Sequence, residues 1–507
     1  MSDHDDDETG FAAVAARFGA ITPDPQDVAA PRTPGPDLDP PEDDGPPQGG
    51  PPDDPEAEER LARAARLALN DHGNGQRLTI HKGEDLMFVP RVGWHLWDGC
   101  RWAKDPDQLA VRGAAQGLAD LITQEIPYLA LEEWEQRLLA REAECAATLK
   151  ALEATAPGDR SGEMETRRKE ALVLMARIDG VKKGLRDRRG QHRRFATSAG
   201  NSNRITNALA EASVNLAVPL DALDARPLEV NCRNGVLVFE TETIEVRGAP
   251  RKSARVTLVP HARAQRLSKM IACDHDPYAQ APRFHAFLEE VQPDIEMRLF
   301  LQRWFGLSMS AEPVQALAFF YGMGANGKSV LIDVIAGLLA DYAATVRIES
   351  LTGTNRRGGG DATPDLIPLI GARFARTSEP DQGTRLQEGL IKELTGGEPI
   401  LVRALHSDFI EIKPRFKLTM SGNHKPEIRG TDDGIWRRLM LVNWPVQIPA
   451  DRRNPRLAAE LAQEGPGILN WMIEGLLSVL ENGLAPPAAV RAATEEYRRE
   501  SDPVGEF

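Results

Sequence analysis

The stretch Gly322-Met323-Gly324-Ala325-Asn326-Gly327-Lys328-Ser329 constrains this chain more than any other. It follows "QALAFFY", an apolar run of the kind that becomes a buried parallel strand. It leads into "VLIDVIAGLLADY", whose apolar residues recur at helical spacing. Strand, glycine-rich loop and helix form the context in which G-x-x-x-x-G-K-S carries chemistry. The glycines let successive N–H groups turn inward, and the helix N-terminus adds the positive end of its dipole, so the loop is a cradle for a polyphosphate. Lys328 then reaches the β- and γ-phosphates, and Ser329 reaches Mg²⁺. All eight residues are candidate nucleotide contacts, with ATP and Mg²⁺ as the expected ligands, and the expected fold class is α/β.

Hydrolysis needs more than a cradle: an acid, a sensor for the γ-phosphate and a cation for the transition state. In "LIGARFARTSEPD" a strand from Arg373 to Ser378 ends at Glu379, a carboxylate placed to polarise water or to reach the metal. Asp381 is a second candidate metal acid. Arg373 and Arg376 make this strand less apolar than a buried strand ordinarily is. "RFKLTMSGNHKPEI" predicts a strand from Phe416 to Met420 with the candidate sensor Asn423 beyond it. "TDDGIWRRLMLVNWP" offers Arg437 and Arg438 in tandem, suited to a finger into a neighbouring subunit's site, with Trp436 as the anchor. The candidate catalytic set is therefore Lys328, Glu379, Asn423, Arg437 and Arg438. The candidate metal contacts are Ser329, Glu379 and Asp381.

Between the acid and the sensor, "PILVRA" and "DFIEI" alternate like strands around "LHS". They predict a β-hairpin with Arg403 and His406 near its tip and Lys392 just upstream. A basic hairpin inserted in such a core suits a grip on single-stranded DNA; a structural hairpin with incidental charges is the alternative.

Charge is divided unevenly. Residues 1–60 hold 17 acidic and 3 basic residues and 12 prolines, which leaves the other 447 residues close to neutral. That tail buries too little apolar surface to offset chain entropy and is expected to be disordered. A near-neutral body does not argue against nucleic acid, because a local basic channel suffices. The cysteines, Cys100, Cys145, Cys232 and Cys273, have no metal-ligand spacing. No membrane-length apolar run and no basic-then-apolar leader order are present, so a cytoplasmic location, away from membranes, is expected.

Upstream of the loop, order is expected to begin near "EAEERLARAARLAL". Trp94, Trp97 and Trp102 in "GWHLWDGCRWAKD" read as core on short strands, with base stacking as the alternative. Residues 130–190 predict an antiparallel helical hairpin. Its first seam is Leu131, Trp134, Leu138, Cys145 and Leu152; its second is Leu174, Ile178, Val181 and Leu185. The basic second arm either pairs with the acidic first arm or meets a DNA backbone. The expected domains are the tail (1–60), an α+β domain (61–285), an ATPase domain (286–450) and a C-terminal helical segment (451–507).

The words "YGMGANGKS", "RTSEPDQG", "IKELTGGEPILVRALHSDF", "KLTMSGNHKPEI" and "DGIWRRL", in this order, resemble the superfamily 3 helicases. The closer resemblance is to the phage and plasmid primase–helicase family, with poxvirus relatives. "GNGQRL", "GWHLWDGCRWAKD" and "RNGVLVF" resemble the region preceding the helicase in that family, so the match covers roughly residues 70–507. The resemblance implies an AAA+-like core and an ATP-driven homo-hexameric ring translocating on single-stranded DNA during phage or plasmid replication. It also implies replication partners such as a separate primase, and strengthens the DNA-gripping reading of Lys392, Arg403 and His406. A polymerase-like primase domain is frequent in the family at the place the acidic tail occupies here, so primer synthesis by this chain is not expected. A loading or packaging ATPase without unwinding is the alternative function.

Overall fold

The computed structural model describes residues 54–247, 249–353, 361–430 and 433–501. The expected disorder of the tail, as far as residue 53, lies outside the described residues. From there the tail forecast ran too far. Helix α1 (Pro55–Ala64) already begins at Pro55, because Asp54 caps it, accepting from the Glu56 N–H, and proline suits the first turn.

The first part of the body joins α2 (Asp71–Lys82), an antiparallel sheet of β1 (Leu86–Val89), β2 (Gly93–Trp97) and β3 (Trp102–Lys104), α3 (Leu109–Gln116) and α4 (Leu118–Gln124). Trp94 and Trp102 are buried, and Trp97 packs on Trp102 at 5.8 Å between centroids, so these rings are core. The arginine of "GNGQRL" is buried too. Arg77 donates to Glu125 at 2.8 and 3.1 Å, and His192 meets the same carboxylate at 2.8 Å.

The helical hairpin exists, with one correction. Its first arm breaks at Arg141 into α5 (Glu133–Ala140) and α6 (Glu142–Glu153), whereas the second is a single helix, α7 (Gly162–Ala199), 38 residues long. The break rotates the seam. Trp134, placed on the buried face by spacing, is 53% exposed, and Glu135 is buried in its stead, bonded to Arg188 at 2.9 Å. Glu142 pairs with Lys182 across the same interface. The basic arm thus does pair, in part, with the acidic one. Helix α8 (Ser202–Asn215) then packs on α2.

β4 (Glu229–Cys232), β5 (Gly235–Val246) and β6 (Ala249–Val259) form a second antiparallel sheet. β5 and β6 form a long antiparallel ribbon. Helix α9 (Pro282–Val291) spans the expected domain boundary at 285. Its Phe284, Phe287, Leu288 and Val291 share one core with α10 (Ile295–Leu307), with Val230 and Leu237 of β4 and β5, and with the central sheet.

That central sheet is wholly parallel, in the order β13–β7–β12–β9–β8. It comprises β7 (Leu317–Tyr321), β8 (Ala343–Val346), β9 (Phe374–Thr377), β12 (Lys417–Gly422) and β13 (Leu439–Asn443). Both faces are buried, as parallel sheets require. Alternate residues of β7 show it: Ala318 and Phe320 join one core, Leu317 and Phe319 the other. Helix α11 (Lys328–Leu339) follows β7, and a short α12 (Ile348–Leu351) follows β8. α13 (Glu388–Gly396) leads to the hairpin of β10 (Ile400–Val402) and β11 (Ile410–Ile412). α14 (Asp433–Trp436), α15 (Leu457–Ala462), α16 (Gly465–Asn482) and α17 (Ala488–Ser501) complete the described chain. Among the described residues no helix is long and apolar enough to cross a membrane.

Candidate active site

The glycine-rich loop joins the carboxyl end of β7 to the first residue of α11, Lys328. Gly327 holds φ at +80°, and a Cβ there would fall 2.7 Å from Val291 and 2.8 Å from Phe287 of α9, so glycine is required twice over. The Ala325 carbonyl accepts from the Ile448 N–H at 2.7 Å, tying the loop to the segment after β13. Met323 and Ser329 are exposed; Gly322 and Asn326 are buried.

Lys328 is buried, and its Nζ donates to the Gly322 carbonyl at 2.6 Å and to Asn423 Oδ1 at 3.2 Å. Burial lowers its pKa to about 8, with Glu379 pulling the other way. A lysine held dry against neutral oxygens, with a donor to spare, fits an arriving anion.

Two further strand ends supply the rest, the position where open parallel sheets bind ligands. Glu379 lies two residues past β9 and Asn423 directly past β12. The Asn423 N–H donates to Glu379 Oε1, and its Nδ2 donates to Oε2 at 3.1 Å. Trp304 of α10 donates to Thr419 Oγ1 at 2.9 Å and so positions β12 from beneath.

Lys328, Asn423 and Glu379 are therefore brought together. Asp381 is exposed in the turn after β9 and forms no hydrogen bond or ion pair with those three among the described residues. The tandem arginines separate. Arg437 is exposed, but Arg438 is buried, with Nη1 donating to the Gly434 carbonyl at 2.6 Å and Nη2 reaching Gln315 at 3.4 Å. Two residues that sequence reading passed over shape this end of the sheet. Asp333 of α11 pairs with Arg376, which also donates to Thr345, and this explains the polar character of β9. Lys425 sits 5.2 Å from the Tyr321 ring and 5.1 Å from the Tyr497 ring, fastening the turn after Asn423 to α17. Neither residue lies on an apolar period of the sequence.

The expected β10–β11 hairpin is present. Arg403 and His406 lie in its connecting loop, with the Arg403 guanidinium 4.9 Å from the Phe409 ring. His406 has φ +58°, and neighbouring Leu405 is 64% exposed. Lys392 is half-buried on α13.

No cluster of three His, Cys, Asp or Glu side chains able to hold a metal occurs among the described residues. A magnesium ion here would depend on Ser329, one carboxylate and the nucleotide's own oxygens, hard donors of the kind it prefers.

Residues 75–293 match a family model described as "D5 N terminal like". A protein of Acanthamoeba polyphaga mimivirus named "Putative helicase" is 28% identical over 241 residues, 44% of this chain and 25% of the relative. Over these residues the chain is similar to D5-type proteins and to a relative named as a helicase. A "Putative helicase" of frog virus 3 is likewise 28% identical, over 249 residues, 44% of this chain and 25% of the relative. A "Putative primase" of African swine fever virus is 23% identical over 226 residues, 43% of this chain and 22% of the relative. The chain thus spans about a quarter of the length of these relatives. Among solved structures, an apo C-terminal region of NrS-1 matches at 12% identity and a TM-score of 0.35, over 51% of this chain and 58% of that one.

Proposed function

We propose that this chain is an ATP-driven DNA helicase of the D5-type primase–helicase family, whose motor is a P-loop core of the superfamily 3, AAA+-like kind. The observation that carries the reading is the bonded series Lys328–Asn423–Glu379 at the carboxyl ends of adjacent parallel strands, beside the glycine-rich loop. The relatives' helicase and primase names support it.

In this reading the loop amides and Lys328 hold the β- and γ-phosphates. Asn423 senses the γ-phosphate, and Glu379 takes up proton density from the attacking water. Mg²⁺, beside Ser329, would neutralise charge on the phosphate oxygens. Arg437 is the exposed cation available to a neighbouring subunit's site, whereas Arg438 holds its own subunit together. The β10–β11 hairpin, with Arg403, His406 and upstream Lys392, grips single-stranded DNA in the channel of a homo-hexameric ring. A cytoplasmic replication complex with a separate primase is the setting this implies.

The test is ATP hydrolysis with and without single-stranded DNA, followed by strand displacement, for the wild type and Glu379→Gln. DNA-stimulated hydrolysis and displacement, both lost in Glu379→Gln, are expected. Hydrolysis indifferent to DNA, or surviving in Glu379→Gln, would remove the reading; hydrolysis without displacement would leave a loading or packaging ATPase.

A further inference from the structure

A cavity of about 380 Å³ lies at the amino end of the central sheet, away from the glycine-rich loop. Arg373, directly before β9, is in its wall, while Glu379 lies beyond the other end of the same strand, about 20 Å away at strand spacing. Three regions of chain meet here. His95 and Lys104 come from the first sheet, residues 220–224 and 268–269 from the segments around β4–β6, and residues 367–373 and 411–415 from the core and the returning strand of the hairpin.

Five lysines and arginines line the cavity against three acids. One of those acids is already engaged: Asp224 accepts from the Ser268 N–H at 3.0 Å and from its hydroxyl. Lys269 has no carboxylate within ion-pair distance among the described residues. Burial lowers its pKa, and Lys104, Arg101 and Arg373 push the same way against Asp224. Arg373 is 1% exposed; its Nη1 donates to the Met309 carbonyl at 2.8 Å and its guanidinium lies 4.2 Å from the Tyr342 ring, yet its Nη2 has no partner. The wall is shaped for the lysine. Gly371 holds φ at +70°, and a Cβ there would fall 2.7 Å from Lys269 Cε and 3.8 Å from Nζ.

Packing alone does not account for these groups. A methionine would fill the path of the Lys269 stem without a desolvated charge, and Lys269 and Arg373, turned inward without a paired counter-charge among the described residues, cost stability unless an anion completes them. We propose that this cavity is a second ligand site, binding a small phosphate-bearing anion, a nucleotide or polyphosphate, on Lys269, with Arg373 adding charge from the floor. An occupant would bridge the 220–224 and 268–269 segments to β11, and so to the hairpin that carries Arg403 and His406. This goes beyond the motor site and does not depend on hydrolysis.

The test uses the full chain with the loop disabled by Lys328→Met. Radiolabelled ATP is measured by equilibrium dialysis, with pyrophosphate as competitor, with and without Lys269→Met. The expected result is about one ATP per chain, bound at least about tenfold more weakly after Lys269→Met, as for a lost charged hydrogen bond. Displacement by pyrophosphate would identify recognition of phosphate alone; resistance to it, with the same Lys269 dependence, would identify a whole nucleotide. Lys269→Met is expected to melt no lower than its parent, because it sheds a desolvated charge while keeping the stem. Lys269→Gln serves as a second neutral variant. No ATP bound to the Lys328→Met chain, or binding indifferent to both Lys269 variants, would overturn the proposal.

Discussion

Asn423 engages both carboxylate oxygens of Glu379, one through its backbone N–H and one through Nδ2, while its Oδ1 accepts from Lys328. Only this orientation of the amide satisfies a lysine donor and a carboxylate acceptor together. The residue read as the sensor is thus the physical link between the residue read as the phosphate cation and the residue read as the acid. Any group that draws Asn423 toward the γ-phosphate position changes the restraint on Glu379.

Asn423→Ala removes that link while leaving the loop amides and Lys328 in place. The catalytic rate is expected to fall by about 10²-fold, the scale of one lost transition-state donor. Nucleotide affinity should change far less. Single-turnover hydrolysis beside calorimetric ATP titration separates the two; equal losses in both would make Asn423 a binding residue.

Nucleotide binding should depend on pH through Lys328. Its pKa of about 8 means it is charged below pH 8, so affinity there is flat. Phosphate favours the ammonium and raises the bound-state pKa, so above pH 8 binding takes up a proton. Affinity then falls by up to about tenfold per pH unit until the bound-state pKa is passed. ATP titrations from about pH 7 to about pH 10 check this. Lys328→Arg, which does not titrate in that range, should lack the slope.

The two arginines after Trp436 should fail in different ways. Arg438→Ala leaves Gln315 and a carbonyl short of a donor and should cost about 1–3 kcal/mol of stability. Arg437→Ala, at an exposed position, should leave the melting temperature in place and depress hydrolysis. Thermal melts paired with ATPase rates distinguish them.

Arg77→Met strands Glu125 in the core with His192 as its remaining side-chain hydrogen-bond partner among the described residues. Breaking a buried pair from one side costs about 3–5 kcal/mol. The urea midpoint of the chain should drop accordingly, and the double variant Arg77→Met with Glu125→Leu should recover part of the loss.

What sequence revealed here was what local pattern encodes. Apolar runs and glycine spacing located β7, the loop and α11; alternation located the β10–β11 hairpin; strand ends located Glu379 and Asn423. The rest depends on partners distant in the chain. Lys417 opens β12 fully buried because the carbonyls of Ser310 and Arg415 receive its ammonium, and burial pushes its pKa well below the lysine range. Trp134 follows the seam in spacing yet faces water, because α5 and α6 are two helices. Arg437 and Arg438 are equivalent as text and opposite in burial. β6 is mostly exposed, so its pairing with β5 is what defines it.

Whether a neighbouring subunit completes the nucleotide site can be read by mixing subunits. Wild-type chain would be combined with increasing fractions of Arg437→Ala chain, and single-stranded-DNA-stimulated ATP hydrolysis measured at constant total protein. Activity is expected to fall faster than the wild-type fraction, because each variant subunit disables a neighbour's site within a coupled ring. Activity falling only in proportion to that fraction, or not at all, would contradict a site shared between subunits.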